Sequence, residues 1–540
     1  MHLQTHEWSR RGLLSMIGKV AGGGLMYQAM ASLGHARESS YRGPLELSQS
    51  KKGGTVVVLG AGLAGMAAAF ELRAAGYQVQ ILEYQERAGG RCWTVRGGDS
   101  FTELDGSRQT CEFDKGLYIN PGPWRVPYHH YAVLDYCKRF GVRLEPFVQV
   151  NHNALVHSTK AFGGKPQKFR HVQADVHGYV AELLGKATHQ GALDQAVTRE
   201  DREVLMHSLK EWGALDSQYR YRESLEASEI RGYATEPGGG LMPLAKPSRP
   251  IDMSELLQSR LWSQINIGQL YEFQTTIFEP VGGMDMIAKG FEREVGNLIR
   301  YNTKVTRIEQ SDKGVTVSYV DARGGSNAKG TGGGSAVQQF KADWCVCTIP
   351  LSILSQLDIQ VGEPMKQAIA AVPYAAAFKI GLQFKRRIWE EDESIFGGIS
   401  YTDLPIAQIS YPSNNFNTRG PAVLLGGYAY QNTHAYEFTA MVPQERIRAA
   451  VEFGSQLHPQ YKKEFQNGVA VGWHRTPWIN GCYGIWTEET RKQHYAQLCA
   501  VDGRIVLAGE HASYIPGWQE GSILSSLDAV KRLHERAQAT

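Results

Sequence analysis

The sequence predicts an α/β protein with a parallel sheet at its centre, and three stretches carry that reading. Val56-Val-Val-Leu-Gly60-Ala-Gly62-Leu63-Ala64-Gly65 runs an apolar strand into a glycine turn that opens a helix. Val79 to Leu82 is a second apolar strand, ending on Glu83 about twenty residues past the turn. Ile505-Val-Leu-Ala-Gly509-Glu510-His511 is one more buried strand, closing on a glycine and an acid. Strand, glycine turn, helix and strand in that order make a dinucleotide-binding βαβ unit. Gly60 makes the tight turn, Gly62 lets backbone N–H groups approach a pyrophosphate, and Gly65 lets helix and strand pack closely. The turn through Leu63 and Ala64 presents a helix N-terminus to the phosphates, and Glu83 is placed to accept from ribose hydroxyls.

The residues that follow select the dinucleotide. Arg91, behind Gly89 and Gly90, can lay a guanidinium fork on the pyrophosphate. Gly517-Trp518-Gln-Glu-Gly521-Ser522 opens a last helix just beyond Glu510. A ligand held by both ends of a 540-residue chain must itself be long, which favours FAD over NAD. Gly509, Glu510, Trp518 and Ser522 are therefore candidate contacts, against the plainer reading that Glu510 and Trp518 cap and pack the last helix. Val305, in a stretch of period two from Tyr301 to Glu309, is a further candidate on the cofactor.

Composition bounds the rest. The chain is long enough for about three to four domains. Its 42% hydrophobic and 21% charged residues are ordinary for a globular protein. A net charge of +3 gives no electrostatic footprint for nucleic acid. Seven cysteines without a CxxC pair indicate neither a disulfide framework nor a zinc site, and Cys345 and Cys347 alternate within an apolar strand as core residues. At the N-terminus, Ser9-Arg10-Arg11-Gly-Leu-Leu14 precedes a weakly apolar, glycine-rich run to Leu33, with Gly34-His-Ala36 as a small-residue cleavage site. Twin arginine before such a run resembles a Tat export signal over residues 1–36, with a basic tail as the alternative. The expectation is a protein of the periplasm or cell exterior with no membrane span.

Helical spacing runs from Tyr128 to Phe140 and from about His171 to Arg231, and Pro237 to Pro250 is a loop. Strands are expected at Tyr301–Glu309, Val315–Tyr319, Phe378–Gln383, Gln408–Tyr411 and Val423–Tyr430, with Gly324 to Ser335 as a glycine-rich hairpin tip.

Two further stretches hold candidate chemistry. In Gly122-Pro-Trp124-Arg125-Val-Pro127 the prolines stiffen a loop around an arginine, the side chain suited to gripping a carboxylate by two parallel hydrogen bonds. Lys379, in Ala377-Phe-Lys-Ile-Gly-Leu-Gln-Phe384, is a lone cation in an apolar alternation, costly to bury without a partner unless it lies at a strand edge. The Trp473 to Trp486 block crowds three tryptophans and Tyr483 around Gly481. No histidine is placed by spacing as a catalytic base.

These blocks, with Asp343-Trp-Cys-Val-Cys-Thr-Ile-Pro350, resemble the flavin amine oxidase superfamily from about Lys52 to the C-terminus, and the L-amino-acid oxidase branch most closely. The resemblance implies a Rossmann-like FAD-binding domain of the glutathione-reductase type, discontinuous over 52–94, 271–350 and 481–540. It also implies a mixed-sheet substrate domain over 95–150 and 351–480, and a helical insertion over 151–270. Gly122 to Pro127 is similar to the family's Gly-Pro-Met-Arg-hydrophobic-Pro, whose arginine binds the substrate carboxylate; Trp124 stands in place of the methionine. Gly122, Trp124 and Arg125 are also expected beside the flavin. Tyr411 lies where the family has Tyr-Tyr-Pro, Ser410 replacing the other tyrosine, and is a candidate second carboxylate ligand. Lys379 matches the lysine that holds a water beside flavin N5. Trp478, Tyr483 and Trp518 are expected against substrate.

The implied reaction is FAD-dependent oxidation of an L-amino acid by oxygen to a 2-oxo acid, ammonia and hydrogen peroxide. The aromatic residues point to large neutral or aromatic side chains, although an acid such as Glu520 could instead recruit lysine or arginine. The alternatives are an amino-acid 2-monooxygenase of the tryptophan 2-monooxygenase kind, a mono- or polyamine oxidase, and a flavin redox partner of another protein. A homo-oligomer, most simply a dimer, is expected, with the helical insertion available as interface.

Overall fold

A computed structural model describes residues 39–50, 53–190, 198–325, 336–431 and 433–539. The export-signal segment and residues 326–335 of the glycine-rich tip lie outside the described residues.

A six-stranded sheet has Ile299–Arg300 at one edge, followed by Gln78–Leu82, Thr55–Leu59, Trp344–Cys347, Ile505–Leu507 and Val501–Asp502. Its pairings are parallel up to Ile505–Leu507, with Val57 opposite Gln80 on one side and Cys345 on the other; Val501–Asp502 closes the edge antiparallel. Runs of β-branched and other apolar residues suit these strands because both faces are covered. Val56, Val58, Val346 and Val506 point into one core, beneath the helices Leu63–Ala74, Asp285–Val295 and Gln519–Ala539. The alternate residues Val57, Leu59, Cys345, Cys347 and Leu507 point into a second core. That core is closed by Val305, Ile308, Val315 and Val317 of a four-stranded sheet ordered Gln338–Ala342, Gly314–Asp321, Thr303–Ser311 and Asp358–Ile359.

Helix Tyr131–Arg139 falls in the span expected to serve the substrate domain, but it packs with the dinucleotide layers. Ala132, Val133 and Tyr136 join the first core, and the Tyr136 hydroxyl donates to Glu71 at 2.5 Å. The helix start is also held from the other end of the chain. Backbone N–H groups of Ala132 and Val133 donate to the Glu520 carboxylate at 3.0 and 2.9 Å, and Ser39 Oγ donates to it as well. Glu520 is thus fully buried as a helix-capping acid and does not line the ligand cavity, so the structure removes it as a substrate contact.

The second large sheet is mixed and seven-stranded, ordered Gln167–Lys168, Leu155–His157, Ile399–Thr402, Gln408–Ser410, Ala422–Tyr430, Ala377–Phe384 and Phe465–Gly472. Ala377–Phe384 is buried along its whole length, and its antiparallel register sets Lys379 opposite Tyr428 and Val471. Beside this sheet lie the helices Phe169–His189, Arg199–Trp212 and Leu225–Arg231. Buried Asp175 ties the first of them to the third and to the following loop, accepting from Arg231 Nε at 2.9 Å and from the Ile251 N–H at 2.8 Å. Among the described residues no helix is long and apolar enough to cross a membrane.

Candidate active site

A single long cavity runs from the glycine turn, past the C-terminal ends of the parallel strands, to the face of the mixed sheet. Its first part is a cradle of backbone. Gly60 has φ of +101°, a conformation that favours glycine. A Cβ at Gly65 would lie 1.9 Å from the Gly60 carbonyl oxygen, so the close helix–strand contact requires glycine there. Gly65 shapes the cradle from behind, while Gly60, Gly62, Leu63 and Ala64 line it. Glu83 is held by backbone, accepting from the Ala61 N–H at 2.5 Å and the Gln85 N–H at 2.7 Å. Burial raises the pKa of this carboxyl, and those N–H groups pull it back down.

Val305 and Thr303 line the cavity at this end, and so does Trp478. The indole stacks on Tyr84, ring centroids 5.0 Å apart and planes 15° from parallel, with Lys304 Nζ 5.7 Å above it. Trp478 therefore belongs to the Glu83 end. Its backbone has φ of +63°, and its ring pairs with Tyr84 rather than with the aromatic groups around Arg125.

The middle of the cavity is tied by Arg91 and Glu510. Arg91 Nη1 donates to Glu510 Oε1 at 2.8 Å and to the Cys482 carbonyl at 2.6 Å. The Glu510 carboxylate also accepts from the Gly484 and Gly517 N–H groups, both at 3.2 Å. Glu510 thus joins the aromatic block, the last helix and the arginine loop. Gly509 and Ser522 line the cavity here, and a Cβ at Gly122 would meet the Arg91 carbonyl oxygen at 1.9 Å.

At the far end Arg125 is 6% exposed. Its guanidinium carbon stands 4.2 Å from the Phe273 ring centroid, 5.0 Å from Trp124 and 5.8 Å from Trp518. The loop is fixed by pairing of Val126–Pro127 with Ile277–Phe278. Buried Nε and Nη1 of Arg125 have no hydrogen-bond partner among the described residues. A buried guanidinium with unpartnered donors calls for an anion.

Lys379 shares this end, 3% exposed, with Nζ 4.4 Å from the Trp124 ring and 4.7 Å from Tyr428. The amine donates to the Gly122 carbonyl, with Asn120 O at 3.4 Å. Burial, reinforced by the Arg125 charge, drives its pKa well below the ordinary lysine value. Tyr483 and Trp518 also line the cavity, with Gly517 packed against the Tyr483 ring.

Tyr411 does not reach the cavity. It is 1% exposed, and its hydroxyl is engaged with Ser400 Oγ and His458 Nε2, each at 2.7 Å. Tyr428 and Tyr430, two residues apart on one face of their strand, supply the phenols that line the cavity instead. Leu270, Glu272 and Phe273 complete this end and carried no signal in the sequence. His474 is paired with Thr439 and His511 with Tyr374, away from the cavity lining.

A cradle for a dinucleotide that continues into an aromatic-walled pocket holding a buried arginine and lysine defines a flavin-dependent oxidoreductase. The chain belongs to the flavin-containing amine oxidoreductase family, which it matches over residues 63–534, and FAD is its cofactor. It is similar to an L-amino-acid oxidase of Protobothrops flavoviridis, 28% identical over 93% of this chain and 94% of that one. An L-amino-acid oxidase of Siganus canaliculatus is 27% identical over 89% of this chain and 85% of that protein. Among solved structures, cyclohexylamine oxidase from Brevibacterium oxydans IH-35A shares the fold, with a TM-score of 0.57 at 15% identity over 90% of this chain and 99% of that one.

Proposed function

We propose that the protein is an L-amino-acid oxidase. The observation that carries this reading is Arg125: a caged, buried guanidinium with Nε and Nη1 unpartnered. An oxidase of simple amines has no use for such a group, whereas the α-carboxylate of an amino acid gives the guanidinium an acceptor and neutralises the buried charge. The sequence similarity to proteins named L-amino-acid oxidase supports the same reading.

In this reading Arg125 fixes the carboxylate and so sets where Cα and its amine stand, an orientation effect that lowers the barrier before any chemistry begins. Burial and the Arg125 charge disfavour the protonated form of Lys379, so its amine can hold a water and take up or release a proton at Nζ. Trp124, Tyr428 and Tyr430 keep bulk water out. FAD, when bound, would supply the two-electron acceptor for the hydrogen leaving Cα and the route of those electrons to oxygen. The overall balance is amino acid, oxygen and water to 2-oxo acid, ammonium and hydrogen peroxide.

The test is peroxide release by the purified holoprotein with L-amino acids, D-amino acids and simple amines. Peroxide with equimolar 2-oxo acid from L-amino acids alone is the expected result. Activity confined to amines overturns the role of Arg125, and an amide product makes the protein a monooxygenase. The twin arginines further support export of the folded holoprotein. Replacing Arg10 and Arg11 by lysine should leave it in the cytoplasmic fraction, and unchanged export refutes that assignment.

A further inference from the structure

Three carboxylates and three cations among the described residues line the cavity: Glu83, Glu272, Glu510, Arg91, Arg125 and Lys379. Four of them are accounted for within the protein. Glu510 pairs with Arg91, Glu83 accepts two backbone N–H groups, and the Lys379 amine donates to the Gly122 carbonyl. That leaves Arg125, matched above to a carboxylate, and Glu272.

Glu272 sits in a short turn, Tyr271–Phe273, beside the Phe273 ring that covers the Arg125 guanidinium. It is 5% exposed; its own backbone N–H interacts with the carboxylate, and its buried Oε1 has no hydrogen-bond partner among the described residues. It feels the Arg125 charge without an ion pair to it among the described residues, and both residues line this end of the cavity. A buried carboxylate with one oxygen unsatisfied is costly when ionised, and a cation from the ligand removes that cost. A second anion on the ligand would meet Glu272 unfavourably, and a purely apolar side chain would leave its oxygen unsatisfied.

We propose that Glu272 is a specificity-determining residue that receives the cationic end of the substrate side chain, so that the preferred substrates are basic L-amino acids. Arg125 then holds the α-carboxylate and Glu272 the distal ammonium or guanidinium, a two-point grip that fixes the Cα between them. This rests on the oxidase reading above and replaces the expectation of large neutral or aromatic substrates. It assigns recognition of the cation to Glu272, whereas Glu520 is consumed in capping a helix.

The experiment compares kcat/KM for L-arginine with that for L-citrulline, its uncharged isostere, and for L-lysine with L-norleucine, using wild-type holoenzyme and Glu272→Gln. Wild type should favour each charged substrate by about tenfold or more, the discrimination of one charge-assisted hydrogen bond. Glu272→Gln should bring both ratios close to one. Equal or better turnover of citrulline and norleucine by wild type overturns the inference and leaves the oxidase reading standing, and this comparison needs no variant to fold. An equal loss on all four substrates in Glu272→Gln also overturns it, because a carboxylate holding the α-amine would behave that way. Peroxide from no L-amino acid removes the oxidase reading and this inference together.

Discussion

Removing Arg125 is the sharpest perturbation of the site. In Arg125→Ala a substrate carboxylate would enter a pocket walled by Phe273, Trp124 and Trp518 with no cation to meet it. Each charge-assisted hydrogen bond contributes about 1.5–3 kcal/mol, and Arg125 has unpartnered donors to make one. Truncating one partner of a buried charged pair costs about 2–5 kcal/mol. At about 1.4 kcal/mol per factor of ten, kcat/KM for an L-amino acid should fall about 30- to 5,000-fold. Anaerobic reduction of the flavin, followed by its bleaching in rapid mixing, measures the loss apart from any oxygen step. The decarboxylated amine of the same side chain is the internal control, since it never used the arginine and should be little affected. Arg125→Lys should fall between, keeping charge while losing the planar fork. An unchanged kcat/KM, or an equal loss on amino acid and amine, refutes the carboxylate assignment.

Four other outcomes follow from the same geometry. Lys379→Met should slow reoxidation of the reduced flavin by oxygen about 10²-fold while anaerobic reduction by substrate changes less; equal slowing of both halves would remove the lysine from the oxygen step. Gly65→Ala places a methyl 1.9 Å from the Gly60 carbonyl oxygen and should cost about 1–3 kcal/mol of stability with lower flavin content, read by thermal melting and the visible spectrum. Tyr411→Phe should cost about 1–3 kcal/mol of stability by stranding Ser400 and His458, yet leave KM within about threefold of wild type; a large KM increase would return Tyr411 to the substrate. Burial pushes the Glu272 carboxyl up to about 7, against smaller lowerings by its own backbone N–H and then by Arg125. It is neutral below that pH and charged above, so KM for L-arginine should drop as pH rises through about 7 while that for L-citrulline stays flat; parallel curves would exclude Glu272.

The cofactor cradle was legible because its physics is local. Gly60, Gly62, Gly65 and Glu83 lie within one βαβ unit, and each answers to a turn, a close approach or a strand end that spacing alone defines. Arg125 was legible for a related reason: flanking prolines announce a rigid loop. What spacing does not encode is the direction of a side chain set by distant partners. Tyr428 reaches the cavity because its strand pairs antiparallel with Ala377–Phe384 and faces Lys379 across that register. Tyr411 matched a family position, but a histidine 47 residues later turns its hydroxyl away. Trp478 was placed in the right block and at the wrong end, because its ring stacks on Tyr84. Glu272 is a lone acid in a three-residue turn, and only the folded cavity distinguishes it from a solvated one.

The clasp between Glu520 and the start of the Tyr131–Arg139 helix has a consequence for how this protein comes into being. The loop bearing Arg125 leads directly into that helix, and the acid that caps it comes 388 residues after the Ala132 N–H it accepts from. Trp518, which helps to cage Arg125, and Ser522 lie in the same late stretch. A folding chain that has already made its glycine cradle therefore still lacks one wall of its pocket until the stretch from Trp518 to Ser522 docks. A variant cut before Gln519 would keep every recognisable motif of the nucleotide cradle yet lose the acid that holds the Arg125 side of the pocket in place.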